Sequence, residues 1–321
     1  MPEASRTAAL GIGAEPSTLS TRPPGPNVAP KVRSRLETRR EFVFRTSHPG
    51  CRILEIGPAH NSILPKRDGY DTRIVDYLDR SGLVEKYRDF RQYSPDSIED
   101  VDYVLPAGAH LSNVIDERFQ LVLASHVLEH TISLIDFLND CGRLLAPGGV
   151  VTFVVPDHRY CFDRFRERSS IARVIDTALA PPSVHTIGTL TDFTLNAVKH
   201  RGTTSWEPGH RGTYEFVHDL DAVRANAVRA AGSDYVDVHN WIFSPNHLRL
   251  LLYDLHSLDY VSLREVAFQD TVGHEFFLTL SPDGAGPGLT REQLIVLADE
   301  DEAARDRPVF QDPTNRPDAA E

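Results

Sequence analysis

Short apolar runs separated by turn residues dominate the chain between residues 51 and 156. These runs predict five strands, at residues 53–56, 72–76, 102–105, 121–124 and 150–155. Such runs are typical of strands buried on both faces of a parallel sheet. Residues 132–145 instead have apolar side chains at helical spacing, and the turn residues Pro147, Gly148 and Gly149 follow them. Strands alternating with helices predict an α/β fold with right-handed crossovers.

Two later apolar runs, residues 260–269 and 275–281, predict a β-hairpin joined through residues 270–273. Ser244 is a suitable N-cap for a helix at residues 245–255. Before that helix, residues 157–240 form a segment longer than a connection between strands requires, and it is rich in His, Arg and aromatic residues. Ligands bind at the carboxyl ends of strands in open α/β sheets, so we expect a substrate-binding cap here. A structural elaboration or a dimer surface is the alternative.

The two ends of the chain differ from its middle in composition. Residues 1–30 are rich in Ala, Pro, Ser, Thr and Gly, which predicts disorder. Residues 31–45 mix basic and apolar residues and predict a helix that packs against the domain. Residues 299–321 are acidic and contain Pro, which predicts a mobile tail. One domain is therefore expected over residues 31–298.

Composition narrows the classes of function. Hydrophobic residues make up 40% and charged residues 25%, so a packed core is expected. The net charge of −12 argues against broad electrostatic binding of nucleic acid. No apolar run approaches the roughly 18 residues that cross a bilayer, and we expect no secretory leader. The three cysteines show neither C-x-x-C spacing nor an even count. They predict reduced thiols in a cytoplasmic protein.

The first strand leads into Glu55-Ile56-Gly57, and Asp76 closes the next strand about 20 residues later. A glycine at a strand end lets the backbone pass close to a ligand, and the acidic residue can bind both hydroxyls of a ribose. This pairing predicts a cofactor that contains a nucleoside. The G-x-G-x-x-G fingerprint of dinucleotide sites is absent, which disfavours a nicotinamide-dependent oxidoreductase.

Three motifs in order resemble those of class I S-adenosylmethionine-dependent methyltransferases, closest to the small-molecule, type 11-like group. They are E-x-G at residues 55–57, FQLVLASHVLEH at residues 119–130 and LLAPGG at residues 144–149. The resemblance implies a Rossmann-like, doubly wound seven-stranded sheet with a terminal antiparallel hairpin and a cap insertion after the fifth strand. It also implies S-adenosylmethionine as the cofactor.

The resemblance also implies cofactor-binding positions, with Glu55 ordering the loop that holds the methionine end. Asn61 tolerates a left-handed backbone, so it can replace a glycine of the family's loop. Asp79 is a rival to Asp76 for the ribose. The positions implied for the cofactor are Glu55, Gly57, Pro58, Ala59, Asn61, Asp76, Tyr77, Asp102, Ser125 and His126.

Methyl transfer requires a nucleophile held close and in line with the methyl group. A hydroxyl nucleophile also benefits from a general base, and histidine has the suitable pKa. From their positions, His158 is the first choice of base, and His126 and His239 compete with it. Residues predicted to bind the substrate are Arg159, Tyr160, Trp206 and Trp241.

Metal binding stays open at the level of sequence. His126 and His130 form an H-x-x-x-H pair, but Val127 stands where a metalloprotease motif needs glutamate, and no third ligand is evident. Zinc is therefore not predicted. Asp157 and Asp237 are candidates for Mg²⁺, which prefers oxygen ligands.

These observations favour O-methylation of a hydroxyl on a small molecule, with a histidine base. A general resemblance to methyltransferases of polysaccharide pathways implies a sugar or a glycan as the acceptor. Two alternatives stay open: N-methylation of a small metabolite, and a non-catalytic binding protein on the same fold. The non-catalytic alternative is motivated by Ala59 and Asn61, which replace glycines of the family's loop. The identity of the acceptor and the oligomeric state are not specified by the sequence.

Overall fold

The computed structural model describes residues 34–89, 94–106, 109–230 and 235–310, without the side chains of residues 227–230. Its strands are β1 (Ile53–Ile56), β2 (Thr72–Asp76), β3 (Tyr103–Val104), β4 (Phe119–Ser125), β5 (Leu145–Pro156), β6 (Val198–His200), β7 (Tyr214–Phe216), β8 (Arg264–Val272) and β9 (Glu275–Ser281). Its α-helices are α1 (Arg35–Val43), α2 (Arg80–Tyr87), α3 (Leu111–Val114), α4 (Leu134–Arg143), α5 (Ile171–Leu179), α6 (Ile187–Asn196), α7 (Leu220–Ala230), α8 (Pro245–Ser257) and α9 (Arg291–Ala303).

Seven strands form one sheet in the order β3-β2-β1-β4-β5-β9-β8. The strands β1 to β5 run parallel, whereas β9 runs antiparallel to both β5 and β8. The predicted fold class is therefore confirmed, including the terminal hairpin. The prediction was wrong in detail at β3, which begins after Asp102 rather than at it.

Apolar side chains from the central strands fill a core on each face of the sheet. Leu54, Val122 and Phe153 belong to the core that includes residues of α4 and α8. Ile53 and Leu121 belong to the core that includes Phe42 and Val43 of α1. Burial on both faces explains why these strands read as continuous apolar runs in the sequence.

The carboxyl ends of the parallel strands lie at one edge of the sheet. Ile56 of β1 is aligned with Val75 of β2 and with Ala124 of β4. Pro156 at the end of β5 pairs with Glu275, so the beginning of β9 lies at this edge too. The chain order reverses between β1 and β4, and ligands of open α/β sheets bind at such a point.

The segment predicted as a cap contains α5, α6, α7 and a separate two-stranded sheet of β6 and β7. It contains buried aromatic groups, with Trp206 and Tyr214 in one cluster. Its role as a substrate cap stays a prediction.

The predicted mobile tail is wrong for residues 299–310. Residues up to Ala303 belong to α9, which packs against α8 and buries Leu294 and Ala298. Asp301 accepts hydrogen bonds from the backbone N–H and side-chain amide of Asn246. The acidic residues thus have partners within the fold. The predicted disorder of residues 1–30 and the rest of the tail, residues 311–321, lie outside the described residues. No helix of the described part is long and apolar enough to cross a membrane.

Candidate active site

Glu55 organises the loop that follows β1. Its carboxylate is 1% exposed and accepts hydrogen bonds from the Ser62 hydroxyl and the Ile63 N–H, each at 2.6 Å. Burial raises the pKa of Glu55, and these donors act in the opposite direction. The carboxylate therefore connects β1 to the far end of the loop and fixes the course of the residues between.

The loop turns through left-handed backbone at Gly57, with φ 58°, and at Ala59, with φ 47°. The backbone of Asn61 is not left-handed, so the prediction that Asn61 would take this conformation was wrong. At position 59, an alanine in this left-handed conformation costs about 1 kcal/mol or more relative to glycine. Such backbone strain is often found at functional sites. The Ala59 N–H donates to Asp76 Oδ2 at 3.3 Å, which ties the strained loop to the end of β2.

Asp76 presents a nearly buried carboxylate at the end of β2. It is 5% exposed and also accepts the Tyr77 N–H at 2.8 Å. Burial raises the pKa of Asp76. A carboxylate has about four acceptor sites, so capacity remains for two ribose hydroxyls. Tyr77 offers a half-exposed ring beside it. The Asp76 carboxylate, the Tyr77 ring and the loop that turns at Gly57 together fit the adenosyl part of S-adenosylmethionine.

Asp79 and Asp102 have other roles. Asp79 caps α2, accepting the Gly82 N–H at 2.8 Å. Asp102 lies before β3, and its Oδ2 accepts from the Ile74 N–H at 2.7 Å and from Lys66 Nζ at 2.5 Å. The adenine-binding role predicted for Asp102 is therefore corrected, because its carboxylate joins β2 to the preceding loop.

Beyond β4, four side chains converge; we call them the histidine cluster, made of His126, Glu129, His130 and His239. Glu129 Oε1 lies 3.6 Å from His126 Nδ1, 3.8 Å from His130 Nε2 and 3.7 Å from His239 Nε2. Glu129 is 1% exposed, and neither carboxylate oxygen has a hydrogen-bond partner among the described residues. His126 and His130 are partly exposed, so solvent reaches the cluster from their side.

The far nitrogen of each imidazole lies against another carboxylate. His126 Nε2 is 3.0 Å from Glu275, His130 Nδ1 is 2.9 Å from Asp237, and His239 Nδ1 bonds to Asp163. Burial lowers the pKa of His130, but the Asp237 hydrogen bond and the charge of Glu129 outweigh it, and the net shift is upward. Burial would raise the pKa of Asp163, but His239 and Arg166 bring it to about 2.

Arg39 and Glu275 complete the surroundings of His126. Arg39 of α1 donates to Glu275 through Nε at 2.9 Å and through Nη2 at 2.6 Å. Burial would raise the pKa of Glu275, but the bonds from His126 and Arg39 lower it to about 2. Reasoning from sequence missed both residues in this role, because they meet only through the pairing of β9 with β5.

The cofactor loop and the histidine cluster are neighbours. A Cβ placed on Gly57 would lie 3.2 Å from Val127 Cγ2, so the loops after β1 and β4 touch. Lys86 Nζ lies 4.7 Å from the Tyr77 ring centroid and 3.5 Å from Asp237. Asp237 in turn lies 2.9 Å from His130 Nδ1, which connects the surroundings of Asp76 to the cluster.

Several predicted site residues are occupied elsewhere. His158 is 2% exposed and its Nε2 bonds to Glu302 of α9 at 2.8 Å, so it is not placed to serve as the base. Asp157 is fully buried and pairs with Arg159 at 2.6 Å. That ion pair removes Arg159 from substrate binding. Mg²⁺ binding at the candidates Asp157 and Asp237 is not supported, because each carboxylate has cationic or histidine partners of its own.

The two tryptophans are core residues. Trp241 is 1% exposed, and its Nε1 donates to the Thr131 carbonyl at 2.7 Å. Trp206 is 6% exposed, and its ring meets Tyr214 edge-on. Their predicted substrate-binding roles are corrected accordingly. Tyr160 is partly exposed beneath the Arg159 guanidinium, and its role in substrate binding stays a prediction.

A polar cavity of about 340 Å³ opens elsewhere, between residues 165–170 and the end of α9. Arg166, Arg168, His247 and Glu302 are among its lining residues, and none of the predicted cofactor residues lines it. This cavity is therefore separate from the adenosyl site described above.

Comparison with known protein families identifies the class to which the chain belongs. A family model described as a methyltransferase domain matches residues 28–201, more than half of the chain. The chain therefore belongs to the methyltransferase domain family, and it is a class I enzyme that uses S-adenosylmethionine. No curated protein matches the chain.

Among solved structures, the chain is similar to the CcbJ methyltransferase from Streptomyces caelestis, at 12% identity over 77% of this chain and 96% of that one, with a TM-score of 0.40. It is also similar to the glycopeptide N-methyltransferase MtfA in complex with S-adenosyl-L-methionine, at 11% identity over 77% and 93%, with a TM-score of 0.37. An S-adenosylmethionine-dependent methyltransferase from Clostridium acetobutylicum matches at 11% identity over 77% and 89%, with a TM-score of 0.38.

Proposed function

We propose that this methyltransferase transfers the methyl group to a hydroxyl of a small polar molecule such as a saccharide, with His126 as the general base. The observation that supports this is the placement of His126 at the carboxyl end of β4, beside the loop at Gly57. Its ring is 30% exposed, and Nδ1 lies 3.6 Å from Glu129, beyond hydrogen-bond distance. Nδ1 is therefore free to accept a proton.

The residues around His126 prepare it for this role. Glu275 accepts the Nε2–H, which selects the tautomer with a free Nδ1 and stabilises the imidazolium that forms. Arg39 balances the charge of Glu275 and holds its carboxylate in place. When bound, S-adenosylmethionine supplies a methyl group activated by its sulfonium. The acceptor hydroxyl loses its proton to Nδ1 as the new O–C bond forms and the bond from sulfur to the methyl carbon breaks, which leaves S-adenosylhomocysteine. A positioned base contributes about 10²–10⁴-fold to rate.

Methyl transfer to matched acceptors tests this proposal. The purified protein is incubated with methyl-labelled S-adenosylmethionine and with pairs of saccharides that carry either a hydroxyl or an amine at one position. We expect label on the oxygen of the hydroxyl members. Label found only on the amine members would contradict the proposal and support N-methylation instead, because a neutral amine needs no base to attack.

A further inference from the structure

Glu129 is a buried carboxylate that the described residues leave without a hydrogen bond. It is 1% exposed, and both oxygens lack a partner. An uncompensated buried charge costs several kcal/mol. Three imidazole nitrogens lie at 3.6 to 3.8 Å from Oε1. A cation between these groups would satisfy the carboxylate.

Two of those histidines are oriented as metal ligands are. His130 and His239 each place Nε2 toward Glu129 and Nδ1 against a carboxylate, of Asp237 and Asp163 respectively. A ligating histidine usually donates its second ring N–H to such a carboxylate, which fixes the tautomer and turns the free nitrogen toward the ion. The same arrangement occurs twice here, around one shared acidic residue.

The distances from Glu129 to the two histidine nitrogens also fit ligands of one metal ion better than they fit hydrogen bonds. Bonds of 2.0–2.1 Å to a tetrahedral ion put neighbouring ligand atoms about 3.4 Å apart. The distances from Glu129 Oε1 to the two Nε2 atoms are 3.7 and 3.8 Å, too long for hydrogen bonds and a few tenths of an ångström above that value. The ligand atoms of Glu129, His130 and His239 all lie within 4.8 Å of one another.

We propose that Glu129, His130 and His239 bind a divalent transition-metal ion. Two imidazoles and one carboxylate suit Zn²⁺, Co²⁺ or Fe²⁺, whereas Mg²⁺ prefers oxygen ligands alone. Three protein ligands leave at least one position open, and the partly exposed His130 lies on the solvent side. A second group, His126, His274 and Glu275, also has metal-like spacing, but the guanidinium of Arg39 already pairs with its carboxylate.

The proposed site also adjoins the base described above. His126 Nδ1 is 3.6 Å from the proposed ligand Glu129, so a hydroxyl bound to the ion would lie near the group that takes its proton. This extension rests on the proposed function. The binding of the ion does not, because it can be measured without acceptor or S-adenosylmethionine.

Metal content of the full-length protein tests the site. After dialysis against chelator, the parent is titrated with Zn²⁺ or Co²⁺ and its bound metal is measured by elemental analysis. We expect one ion per chain and visible Co²⁺ absorption bands of low symmetry. Glu129→Gln and His239→Gln should each weaken affinity at least about 100-fold, since loss of an outer partner alone costs about 10–100-fold. Circular dichroism of each variant confirms that it is folded.

His110→Ala is the matched control, because His110 also faces a carboxylate, that of Asp140, outside the cluster. It should bind metal as the parent does. Two results would overturn the proposal: a folded parent that takes up less than about a tenth of an equivalent of either ion, or folded Glu129→Gln that binds as tightly as the parent. The first result depends on no variant, and neither bears on whether methyl transfer occurs.

Discussion

Replacing His126 with asparagine is expected to lower the turnover of a hydroxyl acceptor by about 10²–10⁴-fold, the usual contribution of a positioned base. Affinity for S-adenosylmethionine should change little, since the carboxylates of Glu55 and Asp76 are untouched. Asparagine is chosen because His126 has φ 54°, a conformation that asparagine tolerates better than alanine. The loss of rate then reflects the missing imidazole rather than backbone strain.

The measurement is kcat and kcat/KM as a function of pH for the parent and the variant. The kcat of His126→Asn should lie about 10²–10⁴-fold below that of the parent, and the variant should have a different pH profile because it lacks the imidazole. His110→Ala provides the control of an unrelated histidine and should keep the profile of the parent. Turnover by His126→Asn at the rate of the parent would exclude His126 as the base.

Replacing Asp76 with asparagine is expected to weaken binding of S-adenosylmethionine and S-adenosylhomocysteine by roughly 10- to 150-fold. This range corresponds to losing a charged hydrogen bond worth about 1.5–3 kcal/mol. The asparagine amide keeps one acceptor oxygen for the N–H group of Ala59 or Tyr77. It lacks the second, charged oxygen that lets a carboxylate accept hydrogen bonds from both ribose hydroxyls. Isothermal titration calorimetry measures the change directly.

Asp79→Ala is the matched control for Asp76→Asn. Asp79 caps α2, so its loss should reduce the free energy of unfolding and leave cofactor affinity unchanged. Urea denaturation and calorimetry on the two variants separate the two effects. If Asp79→Ala lost the affinity and Asp76→Asn kept it, the assignment of the ribose to Asp76 would be wrong.

The sheet was predictable because its information is local. Buried parallel strands read as apolar runs, and β1 and β2 have the bounds that the pattern predicted. Glu55, Gly57 and Asp76 could be selected because strand ends and turns also show in short stretches of sequence. Ala59 was harder to assess, because its left-handed backbone is held by a bond to Asp76, a partner 17 residues away.

The rest of the site depends on contacts between distant segments. From their position after the fifth strand, His158 and Arg159 were predicted to line the active site. In the structure they contact Glu302 and Asp301 of α9. The acidic composition of that segment had predicted a mobile tail instead. Arg39 and Glu275 are 236 residues apart and meet only through the hairpin. In the sequence, the pair His126 and His130 had the spacing of metal ligands but no evident third ligand. The fold brings His239 close to Glu129, which lies between these two histidines in the chain. No periodic pattern in the sequence predicts these contacts between distant residues.

The most direct test of the central claim, that the cofactor binds where β1 and β2 end, is hydrogen–deuterium exchange with and without S-adenosylhomocysteine. Bound ligand should slow exchange at residues 57–63 and 76–79, where the Glu55-ordered loop meets the carboxylate of Asp76. Protection confined to residues 165–170 and α9, around the polar cavity, with none at the ends of β1 and β2, would contradict the account.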